Sequence, residues 1–201
     1  GLQQFPEDRP VALLMRHSVR GEIPEGTYGM DVPLTDEGVV LAERFGRILG
    51  SRVSSIHTSP VPRCVETAGA IVRGAGLNLD IGKASMLGGP GAFVTDPTLA
   101  GPTYLKLGAV WMVQALVRGE SLPGFNRPEE AVSRIVDWLL SRSSDSGNLS
   151  VHVTHDAILA VLVGRLIGWM PSDRDWPEFL EAMYLWSHIR DEFKLLFRGK
   201  T

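Results

Sequence analysis

Apolar residues follow two rhythms along this chain. The run Pro10-Val-Ala-Leu-Leu-Met15 is continuously apolar and ends at a polar cluster, which predicts a strand buried on both faces, as in a parallel sheet. Arg52 to Thr58 and Leu149 to Thr154 are further strand candidates, and Ala182 to Trp186 and Phe193 to Phe197 supply edge strands. Helical spacing marks 36–49, 63–74, 104–119, 127–143 and 157–168; in the fourth, Val132, Ile135, Val136, Leu139 and Leu140 share one stripe. Thr35 is placed to cap the first helix, with Asp36 and Glu37 favourable in its first turn. Strands alternating with helices predict an α/β three-layer sandwich, a mostly parallel central sheet flanked by helices.

Residues 21–33 hold three Gly and two Pro and read as loop, while 76–104 is rich in Gly and Pro with weak periodicity. The segments 21–32 and 84–104 are expected to face a substrate, within one domain spanning 1–201. That length suits a single core.

Composition narrows the partners. A net charge of −3 and a pI near 6.0 provide no global positive field, which speaks against nucleic-acid or anionic-membrane partners. No segment reaches the roughly 18 apolar residues of a membrane span. The single Cys64 excludes an intrachain disulfide and fits a cytoplasmic setting, and no Cys/His spacing suggests a metal. Gly1 in place of Met leaves a removed leader open. Oligomeric state is open as well.

Three strand ends deliver related chemistry: Arg16-His17 and Arg20 after the first, Arg63 after the second, His155-Asp156 after the third. In a parallel sheet such ends converge, so an acidic protein gains a local pocket of guanidiniums and imidazoles. Guanidiniums suit phosphoryl oxygens, and a neutral His17 can attack phosphorus to give a phosphohistidine that water hydrolyses. Arg16, Arg63 and His155 would stabilise the equatorial charge. The leaving alkoxide needs a proton, for which Asp156 is nearest in sequence, with Asp96 second and Glu22 third. Asp156 is equally suited to cap the helix that follows it. His57 and His152 read as structural strand residues, Cys64 as core, and Trp169, Trp176 and Trp186 as packing.

Four blocks in order, Leu14-Met15-Arg16-His17-Ser18-Val19-Arg20, Pro33-Leu34-Thr35-Asp36-Glu37-Gly38, Thr58-Ser59-Pro60-Val61-Pro62-Arg63 with Glu66-Thr67-Ala68, and Val153-Thr154-His155-Asp156, resemble the histidine phosphatase superfamily, also called phosphoglycerate mutase-like. The resemblance implies a nucleophilic His17, phosphate contacts from Arg16 and Arg63, a second pocket histidine at His155, and neither metal nor cofactor. The His-Asp pair and Arg20 are similar to the acid phosphatase branch, where that aspartate is the proton donor; the branch's large helical insertion and disulfides are missing. Ser18 stands where the family usually has glycine, adding a hydroxyl near the phosphate. Residues 68–119 contain no Glu, which argues against a mutase.

The expectation is therefore a metal-independent phosphatase for a small phosphorylated molecule, with Arg16, Ser18, Arg20, Arg63 and His155 binding substrate. A protein phosphohistidine phosphatase, a phosphoglycerate-type mutase and a catalytically impaired phospho-ligand-binding module are the alternatives.

Overall fold

A computed structural model of the chain describes residues 6, 8–143, 148–189 and 192–200. Six strands form one sheet in the order β3-β2-β4-β1-β5-β6: β1 (Val11–Arg16), β2 (Val53–Thr58), β3 (Ile81–Lys83), β4 (Leu149–Thr154), β5 (Ala182–Ile189) and β6 (Glu192–Leu196). The first four run parallel, and β5 and β6 close one edge antiparallel. Central β1 and β4 are buried along their whole length, because helices cover both faces.

Alternation along β1 assigns each face its core. Val11, Leu13 and Met15 pack with helices α1 (Asp36–Leu49) and α2 (Pro62–Ala75), whereas Ala12 and Leu14 pack with α4 (Ala109–Val117), α5 (Pro128–Ser141) and α6 (Asp156–Ile167). The α/β three-layer architecture expected from the pattern is the one observed. Thr35 caps α1 as expected, its Oγ1 accepting from Gly38 N–H at 3.0 Å. No helix among the described residues is long and apolar enough to cross a membrane.

Three expectations need correction. The helix expected over 104–119 is two helices, because Gly108 adopts φ +77 and separates α3 (Pro97–Leu107) from α4. The segment 84–104 is therefore partly regular, as α3 begins at Pro97 behind its cap Asp96. The third strand of the sheet in sequence is β3, a three-residue edge strand containing Gly82, too short for any alternation to register.

Helices α1 and α2 pack backbone to backbone. A Cβ on Gly46 would lie 2.2 Å from Ile71 O, and one on Gly74 would lie 2.0 Å from Glu43 O. Gly74→Ala is accordingly expected to cost about 1–3 kcal/mol, because backbone rather than a flexible side chain has to move. The check is the urea midpoint; an unchanged midpoint would show that the helix pair yields freely.

Candidate active site

The carboxyl ends of β1, β2 and β4 are neighbours in the sheet, so the polar residues following them arrive at one place. His17 is 2% exposed and Arg63 6%. Arg63 Nε–H donates to His17 Nε2 at 3.1 Å, its Nη1–H donates to Gly29 O at 2.6 Å, and its Nη2–H donates to His155 Nδ1 at 3.2 Å. The rings of His17 and His155 stand edge to face with centroids 5.5 Å apart.

These bonds fix both tautomers. A guanidinium only donates and a carbonyl only accepts. His17 therefore carries its proton on Nδ1, donating to Ser18 O at 2.8 Å, and keeps Nε2 as a lone pair. His155 accepts at Nδ1 and donates from Nε2 to Ser59 Oγ at 3.0 Å. Burial, followed by the positive charge nearby, draws the His17 pKa down to about 3 and that of His155 to about 4, so both rings are neutral near pH 7. Gly88, at φ +136, permits the close approach to His155: a Cβ there would lie 2.4 Å from its Cδ2.

Arg16 sits behind this pair. Its Nη2 is 2.9 Å from Asp156 Oδ2, its Nη1–H donates to Pro177 O at 2.5 Å, and its guanidinium lies 3.9 Å over the Phe179 ring. Its Nε–H is buried and has no hydrogen-bond acceptor among the described residues. An unpaired buried charged donor is costly, and an anion oxygen is an acceptor that suits it. Asp156 is the first residue of α6 rather than its cap, and Oδ1 accepts from Ala157 N–H at 2.8 Å. Burial pushes this carboxyl's pKa up, but Arg16, a hydrogen bond from the Trp176 side chain and the Ala157 N–H outweigh it, so the carboxylate is held ionised.

Arg20 lines the same cavity, with one N–H donating to Gly21 O at 2.7 Å. Ser18 is not brought into it. Its fully buried hydroxyl donates to Gly38 O at 2.6 Å and its N–H donates to Thr67 Oγ1, so the substrate contact expected of that hydroxyl has no geometric support. Asp96 is spent on capping α3, with Oδ1 accepting from Thr98 N–H and Oγ1–H, and its lowered pKa follows from those bonds. It does not line the cavity, and neither does the exposed Glu22.

The cavity encloses about 550 Å³, and both sequence-expected segments line it, through Tyr28 and Met30 from the first and Phe93 and Tyr104 from the second. Tyr104, whose phenol burial keeps protonated, is a wall residue that no motif marks. Pro177 and Phe179 also went unmarked, since the stretch after Trp169 has no regular pattern. Cys64 lies 3.6 Å from His155 Nε2, but burial pushes its thiol up to about 12, so it is no nucleophile. Among the described residues no group of three or more His, Cys, Asp or Glu side chains is arranged to hold a metal ion.

A model of the histidine phosphatase superfamily (branch 1) matches residues 12–84, the stretch that holds Arg16, His17, Arg20 and Arg63. His155 and Asp156 lie beyond it. No curated protein matches the chain significantly. Solved structures of similar fold include a mycobacterial glucosyl-3-phosphoglycerate phosphatase, at TM-score 0.63 and 17% identity, covering 95% of this chain and 99% of that one. A phosphoglycerate mutase from Bacillus anthracis str. Sterne aligns at TM-score 0.60 and 16% identity, covering 96% and 95%. Bacillus stearothermophilus YhfR aligns at 0.60 and 19%, covering 95% and 97%. The chain thus carries the histidine phosphatase superfamily pattern over β1 to β3, on a phosphoglycerate mutase-like fold that extends through nearly all of it.

Proposed function

We propose that the protein hydrolyses phosphomonoesters through a phosphohistidine on His17. The observation carrying this reading is the unprotonated Nε2 of His17 held against Arg63, beside an Arg16 N–H that lacks an acceptor. A phosphoryl group seated there draws Arg63 and Arg16 onto its non-bridging oxygens. The Nε2 lone pair then forms the N–P bond as the ester P–O bond breaks, and the guanidiniums of Arg16 and Arg63 take up the equatorial charge. Water attacks the phosphohistidine in the second step, the N–P bond breaks and phosphate leaves. The superfamily match and the phosphatase among the similar folds support this reading.

The proton for the leaving alkoxide is the demanding part, because Asp156 rests ionised. A dianionic phosphoryl group competes with Asp156 for Arg16 and adds negative charge beside it; both effects raise the carboxyl's pKa, so the acid forms on substrate binding. The Arg16–Asp156 ion pair equally favours a second reading, in which the substrate is a phosphohistidine or a phosphoric anhydride whose leaving group needs no proton.

Asp156→Asn separates the two. Turnover of an alkyl phosphate is expected to fall on the order of 10²–10³-fold, with an aryl phosphate retained within about tenfold. Equal loss on both would confine Asp156 to holding Arg16, and no loss on either would remove it from the reaction. In excess chelator, the rates of the unaltered enzyme are expected to be unchanged; a loss restored by added metal would contradict the metal-independent route.

A further inference from the structure

The charged groups on the cavity wall gather at one end. Arg20, Arg63 and Asp156 lie near enough to Tyr104 to shift its ionisation, and His17 and His155 bond to Arg63. The remaining wall is apolar. Its floor is cut from the protein core, with Met112 and Leu116 of α4 opposite Ile158 and Val161 of α6, all at most 8% exposed. Phe93 and Phe125 continue it, and Tyr28 and Met30, both about two-fifths exposed, stand at the mouth. Beyond the charged end no lysine, arginine, carboxylate or side-chain amide lines the space, and the polar atoms left are the tyrosine hydroxyls and backbone, as along Gly88–Gly91.

We infer that the leaving group is an apolar alcohol: the substrate is the phosphate ester of a long-chain, branched or ring-bearing hydrocarbon that fills this cavity while its phosphoryl group sits at His17. This rests on the phosphatase reading and names its substrate class. The volume of about 550 Å³ lies well within the ~300–1,000 Å³ of small-molecule sites, far more than a phosphoryl group needs. Sugar, glycerate or inositol phosphates would bring hydroxyls and carboxylates against hydrocarbon. Each polar group left unpaired costs about ten- to a hundredfold in affinity. A phosphopeptide meets the same penalty through its backbone amides, and the α4–α6 floor bonds its own backbone within its helices.

The test uses n-alkylphosphonates from ethyl to decyl, which bind but are not cleaved at a P–O ester bond, as competitive inhibitors and calorimetric ligands of the intact chain. Inhibition constants are expected to fall about fourfold for each added methylene until the cavity is full. Hexyl and longer members should bind at least a hundredfold tighter than 3-phosphoglycerate or glucose 6-phosphate. Ala100→Leu places extra side chain on the wall and should bring the plateau to a shorter chain, a change that general misfolding would not produce. A flat series overturns the inference, as does tighter binding of a hydrophilic phosphate or a phosphotyrosyl peptide. The two proposals fail separately: graded phosphonate binding without any turnover sinks the hydrolase and leaves the apolar site, whereas fast turnover of hydrophilic esters with a flat series does the reverse.

Discussion

His17→Ala is expected to lower kcat by on the order of 10⁴-fold or more, with phosphate or vanadate still bound by Arg16 and Arg63. The size follows from the role. Removing the imidazole takes away the N–P bond on which both half-reactions depend, and no second base is placed to substitute: His155 is bonded on both ring nitrogens, and the Cys64 thiol stays protonated. Quenching in alkaline denaturant during turnover of a labelled substrate should trap a base-stable, acid-labile phosphoenzyme in the unaltered protein and none in the variant. Retention of turnover within about tenfold would exclude His17 as nucleophile and favour direct attack by water. Absence of turnover in the unaltered protein across a broad ester panel, with phosphate still bound, would mark it as a binding module.

The second large effect is on stability. His17 and His155 have folded pKa values of about 3 and about 4 against an unfolded value of 6.5, and burial lowers that of fully buried His152 well below it. A depressed folded pKa means that unfolding takes up protons. Stability is complete above pH 6.5 and is lost as pH falls towards the folded values, at about 1.4 kcal/mol per pH unit for each ring. His17 and His155 together give on the order of 2–3 kcal/mol per unit between about pH 6 and 5, with His152 acting in the same direction, a large share of a typical domain's stability of ~5–15 kcal/mol. Urea midpoints should fall steeply over that window. His152→Leu should lessen the slope while leaving the pocket histidines in place. A midpoint that is level from pH 7 to 5 would show these rings charging freely in the folded protein.

His152 also marks where sequence reading stops. Alternation assigned it and His57 a structural place, and they do stack across β4 and β2 at 5.3 Å, with Trp138 edge-on to both. That two neighbouring imidazoles would share one burial depends on strand order, which no local pattern carries. The order also explains what was legible. Arg16, His17, Arg63 and His155 each lie at or shortly after the end of a strand that the sequence marks, and the strand-end rule gathers them without knowledge of register. Thr35 at the cap of α1 was readable as well, since a capping signal is local.

Side-chain direction was not readable. Ser18 neighbours His17 in sequence, yet its hydroxyl turns toward α1 because Gly38 O lies within reach. Asp96 and Asp156 looked like competing acids, and only their surroundings separate them: Asp96 is tied to Thr98 in solvent and Asp156 to Arg16 at the cavity. The break at Gly108 was hidden because α3 and α4 are both apolar enough to continue one helical pattern through a single glycine.

The hydrogen bond from Arg63 to the Gly29 carbonyl has a consequence for traffic through the mouth. A fork tip already engaged by the chain's own oxygen is free for an incoming one only after that oxygen lets go. An anion taking that Nη1–H of Arg63 would have to displace the Gly29 carbonyl, so its binding would be coupled to the backbone between Tyr28 and Met30.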